Sequence, residues 1–180
     1  MNLAMNLIYT TIAQKQYNGP EELRIFADFL PYIGEAAVSF SRLEKRITWA
    51  IESILSLSVD EAYEIEEIAK SFTSRLLFLK FVGAPVARET GTEEGFRNIC
   101  ALLSASNKFR NDLLHNSFAG IQIAETMFLN KERFHEKPEK RPYKISLEDL
   151  RKNTAKNLEI CVLIQTWVLA VRPEAENRVP

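Results

Sequence analysis

The chain has 180 residues, a net charge of −1, 46% hydrophobic and 26% charged residues. That balance is ordinary for a globular protein long enough to enclose a core, and it excludes disorder over most of the length. It also excludes a uniformly cationic surface of the kind that coats nucleic acid, so any contact with a polynucleotide has to be local.

The chain opens on "MNLAMNLIYTTIA", mildly apolar and without a basic leader; its apolar character lapses by Gln14, short of a membrane span. Residues 1–19 are expected to be a short packing segment or a frayed arm, and the chain cytoplasmic with no membrane contact. "NGPEEL" is a helix start, with Pro20 in the first turn and Glu21 and Glu22 complementing the helix dipole. A short helix is predicted to Leu30, with Pro31 restarting the chain.

From about 32 to 57, Phe40, Leu43, Ile47, Ala50, Ile51 and Ile54 recur at three and four residues, the stripe of an amphipathic helix. Ser58 and Glu61 spell a capping box. The helix behind it is predicted to run to Phe81 and to bury Ile65, Ile68, Phe72, Leu76 and Leu79. "GAPVARETGTEE" (83–94) reads as a loop, with Thr92 capping the third long helix. That helix carries Phe96, Ile99, Cys100, Leu103, Leu113 and Leu114, and Gly120 is expected to close it.

Residues 119–145 break the helical period. "IQIAETMFLN" suits a short strand or an extended edge, and "KERFHEKPEKRPYK", with two prolines, suits no helix. Ser146 and Asp149 start a last helix, predicted to Val171, and a polar tail follows Pro173. The expected fold is all-α. It is one domain over 1–180 with its core at about 31–171: four long helices, a short N-terminal helix, an irregular insertion before the last helix, and a loose tail at 173–180.

The two cysteines, Cys100 and Cys161, fall among apolar residues and read as reduced thiols. No Cys/His spacing suits zinc, and no glycine-rich phosphate loop, HExxH or nucleophile elbow occurs, so neither metal nor cofactor is expected.

The stretch "KFRNDLLHNSF" (108–118) stands out. Asn111 and His115 are four apart and share a helix face, while Arg110 lies about 140° around the axis from His115 with a side chain long enough to curl partway back. Two copies packed about a twofold axis could gather both pairs into one cleft. Histidine titrates near neutrality and can move a proton; arginine offers a permanent charge and forked donors to a phosphate; asparagine can orient the imidazole. The set suits RNA cleavage without metal, with the RNA 2′-hydroxyl as nucleophile. A lone helical histidine is more often a satisfied surface side chain, and spacing alone leaves both readings open.

"RNDLLH" resembles the R-x4-H signature of the HEPN superfamily (higher eukaryotes and prokaryotes nucleotide-binding domains). The layout is similar too: the motif falls late in the third long helix, and an irregular stretch and one more long helix follow. The resemblance implies a metal-independent endoribonuclease with Arg110 and His115 catalytic and Asn111 auxiliary, leaving 2′,3′-cyclic phosphate ends. Such proteins serve as toxins, in phage defence or in RNA processing. It also implies a homodimer with facing motifs, and it admits an antitoxin or other regulatory protein as partner. Other members are non-catalytic, dimeric binding or regulatory modules, and that alternative stays open.

RNA contacts are expected from Lys108, beside the motif, and from Arg133, Lys140 and Arg141 in the polar insertion, where Lys131, Lys137 and Lys144 add charge. Phe134 and Tyr143 could stack on bases or pin the loop. Arg151, Lys152 and Lys156 extend the patch, which reads somewhat more readily as a solvated loop of mixed charge. His135 reads as a surface side chain. Glu44 flanks the first stripe, and is either an exposed edge carboxylate or a partner for a motif residue. Asp60, Glu61, Glu64, Glu66 and Glu67 open a helix and complement its dipole, with an acidic face for a basic partner as the other reading. Trp49 and Trp167 read as core or dimer contacts.

Overall fold

The computed structural model describes residues 20–114, 117–123, 126–130 and 143–178. Among them are five α-helices: α1 (Pro20–Leu55), α2 (Val59–Ile68), α3 (Phe72–Glu89), α4 (Glu93–Leu114) and α5 (Leu147–Val171). Strands β1 (Ser117–Ile123), β2 (Thr126–Asn130) and β3 (Tyr143–Ser146) lie between α4 and α5, and a 3-10 turn, Pro173–Arg178, follows α5. Helices make up most of the described chain, and the all-α class holds. The chain divides into two compact units, Met1–Glu35 with Asp112–Arg151, and Ala36–Asn111 with Lys152–Pro180.

In the first unit the insertion forms an antiparallel meander in the order β1-β2-β3. Ser117 pairs with Asn130 and Ile123 with Thr126, while Thr126 and Leu129 pair on the other side with Ser146 and Tyr143. The strand expected in "IQIAETMFLN" is thus present as parts of two strands. Gly120 does not close α4, which ends at Leu114; it sits inside β1 beside a register shift between Phe118 and Gly120, the kind of irregularity glycine accommodates in a strand. Phe29, Ile145 and Leu150 are fully buried here. Ser146 and Asp149 cap α5 as expected: the Asp149 carboxylate accepts from the Ser146 amide at 2.8 Å, and Ser146 Oγ accepts from the Asp149 amide at 3.0 Å. Arg151 donates to Tyr32 Oη at 2.7 Å and stacks 4.7 Å over its ring, so this member of the proposed basic patch is engaged within the protein.

The second unit holds the larger core. The predicted stripe of α1 is buried throughout, from Phe40 (2% exposed) to Ile54 (4%). Its boundary at Pro31 is wrong: α1 is continuous from Pro20 to Leu55. Proline removes one donor and crowds the carbonyl four residues back, but Pro31 and Ala27 both face solvent, where water can take up the freed carbonyl. At its end, the Leu57 amide reaches back to the Glu52 carbonyl and the Ser56 amide to Ser53, a Schellman closure with Ser56 at φ 54°.

The helix predicted from Ser58 to Phe81 is two helices. The capping box of Ser58 and Glu61 starts α2 as expected. The Ala69 amide then closes it on Ile65, and a second capping box, Ser71 with Ser74, starts α3. The break turns Ile68 outward, 76% exposed, against the expectation of burial, while Phe72, Leu76 and Leu79 remain in the core.

The loop expected at 83–94 is mostly helix. Gly83 is a packing site, since a Cβ there would lie 2.5 Å from Phe96 Cζ and 3.2 Å from Trp167 Cη2. Pro85 lies on the solvent side. α3 ends at Glu89, and Gly91 just beyond it, at a φ of +67°, supports a Schellman motif: Gly91 N–H to Arg88 O and Thr92 N–H to Ala87 O. Thr92 starts α4 through its carbonyl, which accepts from the Phe96 amide, while its hydroxyl accepts from Trp167 Nε1 at 2.9 Å. Trp49 and Trp167 are core residues, 4% and 6% exposed. By length and composition α5 alone among the described helices could cross a membrane; its Ile160, Ile164 and Val168 belong to this core. The tail is not loose as far as Glu176: the 3-10 turn folds back and buries Ala175.

Candidate functional site

Arg110 stands near the end of α4, in the second unit. Its guanidinium lies 3.4 Å from Glu44 Oε1, and the other oxygen of that carboxylate lies 3.8 Å from Arg75 Nη1. Three helices thus converge: α1 brings Glu44, α3 brings Arg75 and α4 brings Arg110. The side chains are partly shielded, 25%, 17% and 28% exposed respectively, so water screens them less than it would a surface pair. One carboxylate between two guanidiniums leaves the cluster with an excess positive charge, a suitable setting for an anion.

Arg75 is held from behind, and the helices that carry the other two are braced nearby. Arg75 donates through Nε to the Ala69 carbonyl at 2.9 Å, placing a cation on the C-terminal end of α2. Thr48 Oγ1 donates to the Glu44 carbonyl at 3.2 Å. One turn before Arg110, Asn107 Nδ2 donates to Thr73 Oγ1 at 3.1 Å and braces α4 on α3.

A buried polar chain joins α1 and α4 through α5. Ser106 Oγ donates to Asn157 Oδ1 at 2.5 Å, Asn157 Nδ2 donates to Ser39 Oγ at 2.9 Å, and Ser39 Oγ donates to the Ala36 carbonyl at 2.7 Å. Asn157 is 0% exposed, and Ser106 and Ser39 are nearly so. Ser106 lies four residues before Arg110 and Ser39 five before Glu44. The amide of Asn157 therefore fixes the axial position of α4 against α1, and with it the approach of Arg110 to Glu44.

Of the residues singled out in the sequence, Arg110 is paired with Glu44, the partner role offered for that carboxylate. Asn111 is half-buried and Lys108 exposed. His115, Arg133, Lys140 and Arg141 lie outside the described residues, as do Lys131, Phe134, His135 and Lys137. Arg75 escaped the sequence reading: it sits three after Phe72 at the flank of an apolar stripe, and nothing local marks it as a partner of α1. Cys100 and Cys161 are free thiols, and burial pushes both up from the ordinary range against weaker opposing pulls, from Lys80 at Cys100 and from Arg46 and Arg42 at Cys161. No family model, curated protein or solved structure matches the chain.

Proposed function

We propose that the protein is a HEPN-like, metal-independent endoribonuclease. The observation that supports this best is the seating of Arg110, the first residue of the R-x4-H motif: Glu44 holds its guanidinium at the end of α4, in a cluster with one positive charge in excess. On this reading α1, α3, α4 and α5 are the four-helix bundle of the family. Two copies face their motifs across a twofold axis, and a phosphodiester lies between them.

His115 takes the 2′-hydroxyl proton and returns one to the leaving 5′-oxygen; the attacking oxygen closes a 2′,3′-cyclic phosphate as the bond to the 5′-oxygen breaks. Arg110 stabilises the charge gathered on the phosphoryl oxygens. Glu44 is a positioning residue, and Asn111 orients the imidazole. Lys108 and the insertion residues Arg133, Lys140 and Arg141 guide the RNA backbone. The setting is cytoplasmic, in a toxin or phage-defence role, with an antitoxin as the natural counterpart.

The test is incubation of purified protein with mixed RNA in EDTA, beside Arg110→Ala and His115→Ala. Cleavage with cyclic phosphate ends by the wild type, reduced by about two orders of magnitude or more in either variant, supports the reading. Equal cleavage by all three, or none by any across varied RNAs, removes it. A second reading, a non-catalytic dimeric HEPN-like module, draws on the same ion pair, because a guanidinium already engaged by a carboxylate is also what a purely structural arginine shows. It expects His115→Ala to keep cellular function.

A further inference from the structure

Two surfaces of the second unit complement one another. The first is a groove of about 480 Å³ between α1 and α5, lined by Arg42, Lys45, Arg46, Leu158, Cys161 and Val162. Its floor is apolar, with Leu158 42% and Val162 62% exposed four residues apart on one face of α5. Its α1 side carries three cations.

The second surface is α2. It buries none of its residues, has no basic residue, and carries Asp60, Glu61, Glu64, Glu66 and Glu67 within ten positions. Val59, Tyr63 and Glu66 share one face, at spacings of four and three, with Val59 86% and Tyr63 66% exposed. Dipole complementation accounts for Asp60 and Glu61 in the first turn, and Glu67 pairs with Lys70 at 2.9 Å, which leaves Glu64 and Glu66 without either explanation. The break after Ile68 makes α2 a separate helix that stands off the end of α1 across an open cleft, lined by Glu52, Ser53 and Leu57 on one side and by Val59, Tyr63 and Glu66 on the other, with Ile68 itself 76% exposed.

We propose that α2 of one copy docks into the α1/α5 groove of a second copy of this chain. An exposed i,i+4 apolar pair on α2, Val59 and Tyr63, meets an exposed i,i+4 apolar pair on α5, Leu158 and Val162. The acidic flank of α2 meets Arg42, Lys45 and Arg46. Because the two patches are different surfaces of the same protomer, the contact is heterologous: each copy offers both halves, and association continues until the geometry closes. The pairing is electrostatically steered and therefore weakens with salt. It does not depend on the ribonuclease reading, and it is distinct from the facing-motif dimer proposed there.

The experiment measures mass by light scattering and sedimentation across protein concentration and salt, for wild type and two charge-reversal variants. Arg42→Glu/Lys45→Glu alters the groove, and Glu64→Lys/Glu66→Lys alters α2; all four positions are exposed, and melting curves check that each variant is folded. Wild type should exceed the 20.6 kDa protomer mass and shrink as salt rises. Each variant alone should lose this association. An equimolar mixture of the two should regain it, because every α2 then finds a groove of opposite charge, and so should the chain carrying all four changes. A wild-type mass that neither concentration nor salt changes overturns the proposal, as does one that neither variant lowers or that a mixture of the two fails to recover.

Discussion

Replacing Asn157 by alanine tests how the site is held. Asn157 is completely buried and makes one hydrogen bond to each of two helices, accepting from Ser106 and donating to Ser39. Alanine leaves the Ser106 hydroxyl without its acceptor at 2% exposure; an unsatisfied buried donor costs about 1–3 kcal/mol. Ser39 keeps its bond to the Ala36 carbonyl, so its loss is smaller. The vacated amide volume adds about 1 kcal/mol of lost packing. The sum is about 2–4 kcal/mol, which for a chain of this length lowers the melting temperature by roughly 4–16 °C. Urea titration supplies the free energy independently of heating. The control is Ser39→Ala/Ser106→Ala/Asn157→Leu, which removes every partner together; apolar replacement of a whole network is close to neutral, so this triple variant should recover most of the stability lost by the single one. If Asn157→Ala melts with the wild type, or if the triple variant is no better than the single, the amide is not what ties α4 to α1. Where RNA cleavage is measured alongside, the triple variant should remain impaired, because it restores packing without restoring the polar register between α1 and α4.

Gly83→Ala sets helix propensity against packing. Alanine gains about 1 kcal/mol in a helix interior, but its Cβ would stand 2.5 Å from a Phe96 ring stacked 4.5 Å from Trp167, an overpacking that costs about 1–3 kcal/mol. A lower melting temperature is expected, and Phe96→Leu in the same chain should restore it. Ser56→Gly removes a non-glycine residue from φ 54° at the end of α1 and should raise stability by about 0.5–1 kcal/mol in urea titration. The backbone and side-chain hydrogen bonds from Ser58 hold the Glu61 carboxyl below its ordinary value of 4.5. A depressed folded value stabilises above the unfolded one and is lost as pH falls through it. The protection of amides at the start of α2, taken relative to their intrinsic exchange rates, should therefore fall below about pH 4.5, and Glu61→Gln should flatten that dependence. Burial raises the Cys100 and Cys161 thiols, so iodoacetamide at pH 8 should label the native protein far more slowly than the urea-unfolded chain.

The legible parts of the sequence are those where one local signal decides the outcome. The stripe from Phe40 to Ile54, the boxes at Ser58/Glu61 and Ser146/Asp149, and the apolar face of α4 each need only residues within two turns. What stayed hidden depends on facing. Pro31 and Pro85 punctuate a sequence only if their side of the helix is buried; both face water, and the helices run through them. Gly83 resembles a loop glycine until Phe96 and Trp167 are brought against it, and Gly91, eight residues on, is the one that supplies a left-handed stop. The break at 69–71 is signalled only by Ser71 and Ser74, a weaker box than one closed by glutamate, and the continuous stripe overrides it on paper. The site divides in the same way. Arg110 is visible through its motif, whereas Glu44 and Arg75 acquire meaning only when α1, α3 and α4 converge, 31 residues separating one from the other and 35 the next. Period and caps fix where helices begin and which face turns inward; they carry no information on which charged flank of one helix meets which flank of another. That pairing is set by axial register, and here the register rests on Asn157, a fully buried polar residue of α5. A fully buried asparagine costs stability unless its amide is satisfied, and its placement between Ser39 and Ser106 selects one alignment of α1 and α4 over its neighbours one turn away.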